Sequence, residues 1–145
     1  MLVLIRRVSS DESRPVATTL SLTAAERVRS RHRFQADDGR PVYLNLPRGT
    51  VLRGGDRLAT AENTIVTVVA KPEPVLTVTA TTPLQLVRAA YHLGNRHVPL
   101  EVTATYLRLT PDPVLEKLLL QLGVQVTAEV AAFEPEAGAY GHHGH

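Results

Sequence analysis

The stretch Tyr91-His92-Leu93-Gly94-Asn95-Arg96-His97 gathers two imidazoles and a guanidinium within seven residues of a chain that has six histidines and no cysteine. Two neighbouring imidazoles suit the capture of a divalent cation. The absence of cysteine removes disulfides, thiolate nucleophiles and thiolate metal sites together, so any metal site must use nitrogen and oxygen ligands. Three further histidines, His142, His143 and His145, fall in the last four residues beside Gly144, a metal-binding composition. His32 stands apart from both groups.

The two histidines of the central stretch differ in kind. His92 falls in the last turn of a predicted helix, where an imidazole can oppose the negative end of the helix dipole without any ligand. Gly94-Asn95 reads as the C-cap of that helix, with the glycine left-handed. His97 lies past the cap and just before Val98-Pro99, a proline-fixed entry into the next strand, and is the stronger candidate ligand. His143 and His145 are candidate co-ligands, and His92 and His142 are candidates for a secondary site.

The elements that must hold these residues can be read from periodicity. Val75 to Ala80 alternates as a strand. Thr82-Pro83-Leu84-Gln85 is a capping box with proline at the first helical position, opening a helix to Leu93. Its polar stripe is Gln85, Arg88 and His92, and its expected packed face is Leu84, Val87, Ala90 and Tyr91. Two short strands follow, Leu100 to Thr103 and Tyr106 to Leu109. Asp112-Pro113 caps a second helix whose Leu115, Leu118, Leu119 and Leu122 share one face, and Gly123 stops it. Val124 to Val130 alternates as a last strand. The order βαββαβ predicts a ferredoxin-like domain. RNA-binding modules built on this order need exposed aromatics on central strands, and only Tyr106 is offered there, which argues against RNA.

Residues 1–70 read as β throughout. Leu2 to Ile5, Thr18 to Leu22, Val42 to Leu46 and Ile65 to Val69 have strand patterns, separated by turn signals such as Asp37-Asp38-Gly39 and Gly54-Gly55-Asp56. Arg27, Arg29, Arg31 and Arg33 alternate with Val28, Ser30, His32 and Phe34, so an extended strand there would present four guanidiniums on one face. The plain interpretation is the solvated face of a half-buried strand. A nucleic-acid surface lacks the interleaved aromatics that stack bases, and an acidic protein partner is the better functional variant. Lys71-Pro72-Glu73-Pro74 is a stiff connector that breaks the pattern. The expected organisation is α+β: a small all-β domain at 1–72, a ferredoxin-like domain at 73–134, and a flexible histidine-containing tail at 135–145.

Composition narrows the function. Sixteen basic and 14 acidic residues give a formal net charge of +2, which demands no anionic partner, and the aromatic fraction of 4% means cores of Val, Leu and Ala. No apolar run reaches the length of about 18 residues that suggests a membrane span, and Met1 to Ile5 is too short for a signal-peptide core. The expected location is the cytoplasm. The G-x-S-x-G elbow, the P-loop and the dinucleotide fingerprint are absent, which speaks against an enzyme.

The motifs His92-Leu93-Gly94-Asn95-Arg96-His97 with Val98-Pro99-Leu100-Glu101, and the ending from Phe133-Glu134-Pro135-Glu136 to His145, resemble the UreE family of urease accessory proteins. Asp37-Asp38-Gly39-Arg40, Leu46-Pro47-Arg48-Gly49 and Gly55-Asp56-Arg57-Leu58 extend the resemblance over nearly the whole chain. It implies a homodimeric nickel metallochaperone with a peptide-binding-like first domain, binding metal through His97 and passing nickel through the urease accessory GTPase into apo-urease. Imidazole chemistry accommodates nickel, zinc or copper alike, so the choice of nickel comes from the resemblance. The tail is short beside the long histidine-rich extensions of some members. The contrasting interpretation is a metal-independent peptide-binding or scaffolding protein that acts through Arg27, Arg29, Arg31 and Arg33.

Overall fold

Alternating Val, Leu and Thr residues make the first half of the chain strand-forming, because branched side chains pack well on a pleated surface. The computed structural model describes residues 1–9 and 13–136. The chain divides into two compact units, Met1–Lys71 and Pro72–His145.

In the first unit the strands are β1 (Leu2–Leu4), β2 (Arg6–Val8), β3 (Val16–Leu22), β4 (Arg31–Gln35), β5 (Pro41–Asn45), β6 (Arg57–Ala59) and β7 (Ile65–Ala70), with a one-turn helix α1 (Ala24–Arg27) between β3 and β4. They form a three-stranded sheet ordered β1-β5-β4 and a four-stranded sheet ordered β2-β6-β7-β3. Leu4 and Leu44 from one sheet meet Leu20, Leu22, Leu58 and Val68 from the other in a single buried cluster. Asp37-Asp38-Gly39 makes the β4–β5 turn, with Gly39 left-handed at φ 96°. Hydroxyl groups of Thr19 (2.5 Å) and Ser21 (2.8 Å) donate to the Asp37 carboxylate. The Thr19 contact leads in holding that carboxyl below its ordinary value.

In the second unit β8 (Glu73–Thr79), α2 (Pro83–Gly94), β9 (Glu101–Val102), β10 (Leu107–Leu109), α3 (Pro113–Gln121) and β11 (Gln125–Ala131) give the expected βαββαβ order. The sheet is antiparallel and ordered β11-β8-β10-β9, the ferredoxin-like arrangement. Both helices pack on one face of it. Leu86, Ala89 and Leu93 of α2 and Leu119 of α3 are buried against Leu76 and Leu107. The expected caps are present: Thr82 and Gln85 exchange side-chain and backbone bonds, Asp112 accepts from Val114 and Leu115, and Gly123 ends α3 at φ 84°.

Two local expectations differ. Pro74, expected in a stiff connector that breaks the strand pattern, lies inside β8 opposite Val130. It is tolerated because β10 runs alongside only from Leu76 onward, so one edge of the strand is open where the N–H is missing. The expected packed face of α2 is also displaced. Leu84 is 56%, Val87 63% and Tyr91 64% exposed; of the expected face only Ala90 packs against the core, and the buried positions are Leu86, Ala89 and Leu93. The helix carries two apolar stripes, and its own sheet covers only one.

Candidate metal centre

At the end of α2 the backbone, not the glycine, makes the unusual choice. Gly94 lies within the helix, outside the left-handed region, and a β-carbon there would meet nothing within 4 Å. His97 instead takes the left-handed conformation, at φ 56°. Its N–H donates to the Gly94 carbonyl (3.0 Å), and the Val98 N–H donates back to Leu93 (3.4 Å). That is a Schellman termination with histidine where glycine is the usual occupant. Val98 packs on the cluster that contains Leu93, so the turn is held from the apolar side. A β-carbon in this conformation costs roughly 1–2 kcal/mol, although histidine enters it more readily than branched residues do. The outcome is an exposed imidazole on a fixed backbone.

The remaining candidates are placed differently. His92 is half-buried one turn earlier, edge-on to Tyr91 at 5.3 Å between ring centroids, and its carbonyl accepts a bond from the Arg96 guanidinium (3.0 Å). His142, His143 and His145 lie outside the described residues. Among the described residues no group of three or more His, Asp or Glu side chains is arranged to hold a metal ion.

The course of residues 132–136 is not legible in the sequence. After β11 it crosses from that edge of the sheet to the β9 edge, where the Glu136 N–H donates to the Leu100 carbonyl (2.8 Å). On the way Phe133 is buried and the Glu134 N–H donates to the Glu101 carboxylate (2.9 Å). Tyr106 donates to the other oxygen of Glu101 (3.3 Å), and the Arg108 guanidinium lies over the Tyr106 ring at 4.4 Å. Glu136 is therefore fixed to Leu100, which lies three residues after His97 in sequence. The alternation of Glu134-Pro135-Glu136 with a buried Phe133 was the available signal, and it reads equally well as a loose tail.

Arg27, Arg29, Arg31 and Arg33 do not share one extended strand. Thr23 and Glu26 form a capping box that starts α1, so Arg27 is helical and only 2% exposed, its Nε donating to the Leu22 carbonyl (3.3 Å). Arg29 sits between α1 and β4 with Nη1 3.1 Å from His32 Nδ1. Only Arg31 and Arg33 occupy the strand, both exposed. The Thr-x-x-Glu pattern at Thr23 was the signal that could have separated Arg27 from the others. Arg27→Ala is expected to lower stability by about 2–3 kcal/mol, because it empties a buried site and strips a charged donor from a carbonyl. Urea unfolding measures this, and a change under about 0.5 kcal/mol, as for an ordinary surface site, contradicts it.

An exposed imidazole on a rigid helix end can capture a cation, which is the chemistry of a binding protein. Comparison with known proteins identifies which kind. The family described as UreE urease accessory protein, N-terminal domain, matches residues 4–71, and its C-terminal domain counterpart matches residues 73–145. A urease accessory protein UreE from Nostoc sp. is 56% identical over 144 residues, covering 99% of this chain and 98% of the relative. Similar proteins of the same description occur in Nostoc punctiforme, 58% identical over 90% of this chain and 88% of the relative, and in Thermosynechococcus vestitus, 59% identical over 86% and 87%. The chain belongs to the UreE family of urease accessory proteins, and it is an accessory protein, not an enzyme. No helix among the described residues is long and apolar enough to cross a membrane.

Proposed function

We propose that this chain is a nickel-binding metallochaperone of the cytoplasm that works as a homodimer and delivers nickel for assembly of the urease active site, handing it on through the urease accessory GTPase. The observation that carries this reading is His97, an exposed imidazole kept in a left-handed turn where glycine is favoured. Backbone strain at an exposed polar residue is typical of a position selected for its side chain.

The described residues of one chain supply no three-ligand cluster, so further ligands must come from elsewhere. A second copy related by a two-fold axis beside His97 would contribute a second imidazole to the same ion. The unpartnered stripe of Leu84, Val87 and Tyr91 on the helix that ends at His97 is a suitable surface for that copy. The tail can add more. His142 lies six positions beyond Glu136, enough chain to span about 20 Å, and Glu136 starts beside Leu100. Nickel accepts more nitrogen and oxygen ligands than two imidazoles provide.

Removing residues 142–145 is accordingly expected to lower nickel stoichiometry and weaken binding by roughly tenfold, about 1.4 kcal/mol, while a residual site persists. Calorimetry on the truncated protein tests this, and complete loss of binding would transfer the principal ligands to the tail. The two units are also proposed to fold independently. Residues 1–71 and 72–145 produced separately should each show a cooperative thermal transition by circular dichroism. A fragment that melts without one contradicts the division.

A further inference from the structure

The β4 strand has one unused edge. In the antiparallel β4–β5 ladder the Leu46 N–H donates to Ser30 and the Ala36 N–H donates to Arg40. Residues paired through hydrogen bonds alternate along such a ladder, so His32 and Phe34 direct their backbone groups at β5. Arg31, Arg33 and Gln35 then direct theirs away from it. Among the described residues no strand pairs with that side of β4.

Each face of the strand beside this edge has a distinct chemistry. Arg31, Arg33 and Gln35 are exposed on one face, with Tyr43 opposite Arg33 in the neighbouring strand. On the other face β4 and α1 enclose a cleft of about 280 Å³ lined by Ala25, Glu26, Arg29, His32 and Phe34. That volume is below the range of about 300–1,000 Å³ typical of small-molecule sites and suits a side chain or two. Phe34 and His32 stack edge-on at 4.8 Å, giving the cleft an aromatic wall. Glu26 is occupied by its capping bond to the Thr23 N–H (2.9 Å), whereas Arg29 adds a third guanidinium at the rim.

We propose that the free edge of β4 is a docking strand for an extended segment of a partner protein in which acidic residues alternate with apolar ones. The segment adds a fourth strand to the β1-β5-β4 sheet through the outward N–H and C=O groups of Arg31, Arg33 and Gln35. Because side chains alternate along it, its acidic residues lie beside Arg31 and Arg33 while its apolar residues enter the Phe34 cleft. This rests on the proposed delivery role only in requiring a protein partner.

The test uses the full chain and two labelled peptides, acetyl-Glu-Leu-Glu-Leu-Glu-amide and its lysine counterpart, followed by fluorescence anisotropy at low and moderate salt. The acidic peptide should bind saturably and the lysine peptide should not. Arg31→Glu with Arg33→Glu should weaken binding about tenfold or more, as expected for reversal of two exposed pairs. Methylating the peptide nitrogens that face β4 should abolish binding at unchanged charge, and bound peptide should slow amide exchange at Arg31, Arg33 and Gln35. Equal binding of the methylated peptide, equal binding of the lysine peptide, or tighter binding of a thymidine oligonucleotide would each overturn the proposal. Nickel calorimetry on the Arg31→Glu, Arg33→Glu protein should match the parent, so failure of the edge and failure of the metal reading are told apart.

Discussion

Replacing His97 by glycine should stabilise the protein and at the same time remove its tightest nickel site. The two effects have separate origins. The φ of 56° at His97 is open to glycine without a β-carbon clash, so His97→Gly should gain roughly 0.5–1 kcal/mol over His97→Ala, which keeps the clash and loses the imidazole. Both variants remove one imidazole from each copy, and therefore both central ligands of an ion on the proposed two-fold axis. Affinity should fall by more than the roughly 10–100-fold seen when a metal site loses only an outer-shell partner. Thermal unfolding and nickel calorimetry on the two variants give the measurement. If His97→Gly binds nickel as tightly as the parent, His97 is not the ligand. If it is less stable than His97→Ala, the left-handed turn is not a source of strain.

Val87→Asp should dissociate the proposed dimer without unfolding the chain. Val87 lies between Leu84 and Tyr91 on the outer stripe of α2 and is 63% exposed, so an aspartate there is harmless in a single chain. Across a two-fold interface it appears twice. Two buried, unpaired carboxylates cost about 4 kcal/mol together, which is roughly a thousandfold in dimer dissociation constant. Sedimentation equilibrium should show monomers at micromolar concentration with an unchanged circular dichroism spectrum, and the tightest nickel site should disappear along with the dimer. A Val87→Asp protein that stays dimeric places the interface elsewhere. One that is monomeric yet binds nickel as the parent does would show that one copy suffices.

These two variants probe what the sequence left undecided. For α2, periodicity alone presents two apolar stripes, Leu84-Val87-Tyr91 and Leu86-Ala89-Leu93. Both satisfy helical spacing, so nothing local reveals which one meets the sheet. The structure assigns the sheet to Leu86, Ala89 and Leu93 and leaves the other stripe uncovered. Arg27 was misplaced for a related reason. Alternating arginines imply a strand only if the backbone is extended, and the Thr23–Glu26 capping box makes it helical there.

The sequence by itself determined the class of fold, because caps, turn glycines and hydrophobic period act over a few residues and are written locally. Thr82 with Gln85, Asp112 with Pro113, Gly39 and Gly123 all behave as their types require. It also determined the family, since the two family descriptions together match residues 4–71 and 73–145. Only the tertiary structure decided the conformation of His97 and the course of residues 132–136. A glycine beside an asparagine is the local signal for a left-handed cap, yet the helix continues through Gly94, and Val98 packs on the core that holds Leu93, leaving His97 to turn the chain. The end of the described chain is fixed by Phe133 burial and by Glu101 and Leu100, residues more than 30 positions away in sequence from those they bind. Contacts of that kind form only when the sheet has brought distant residues together.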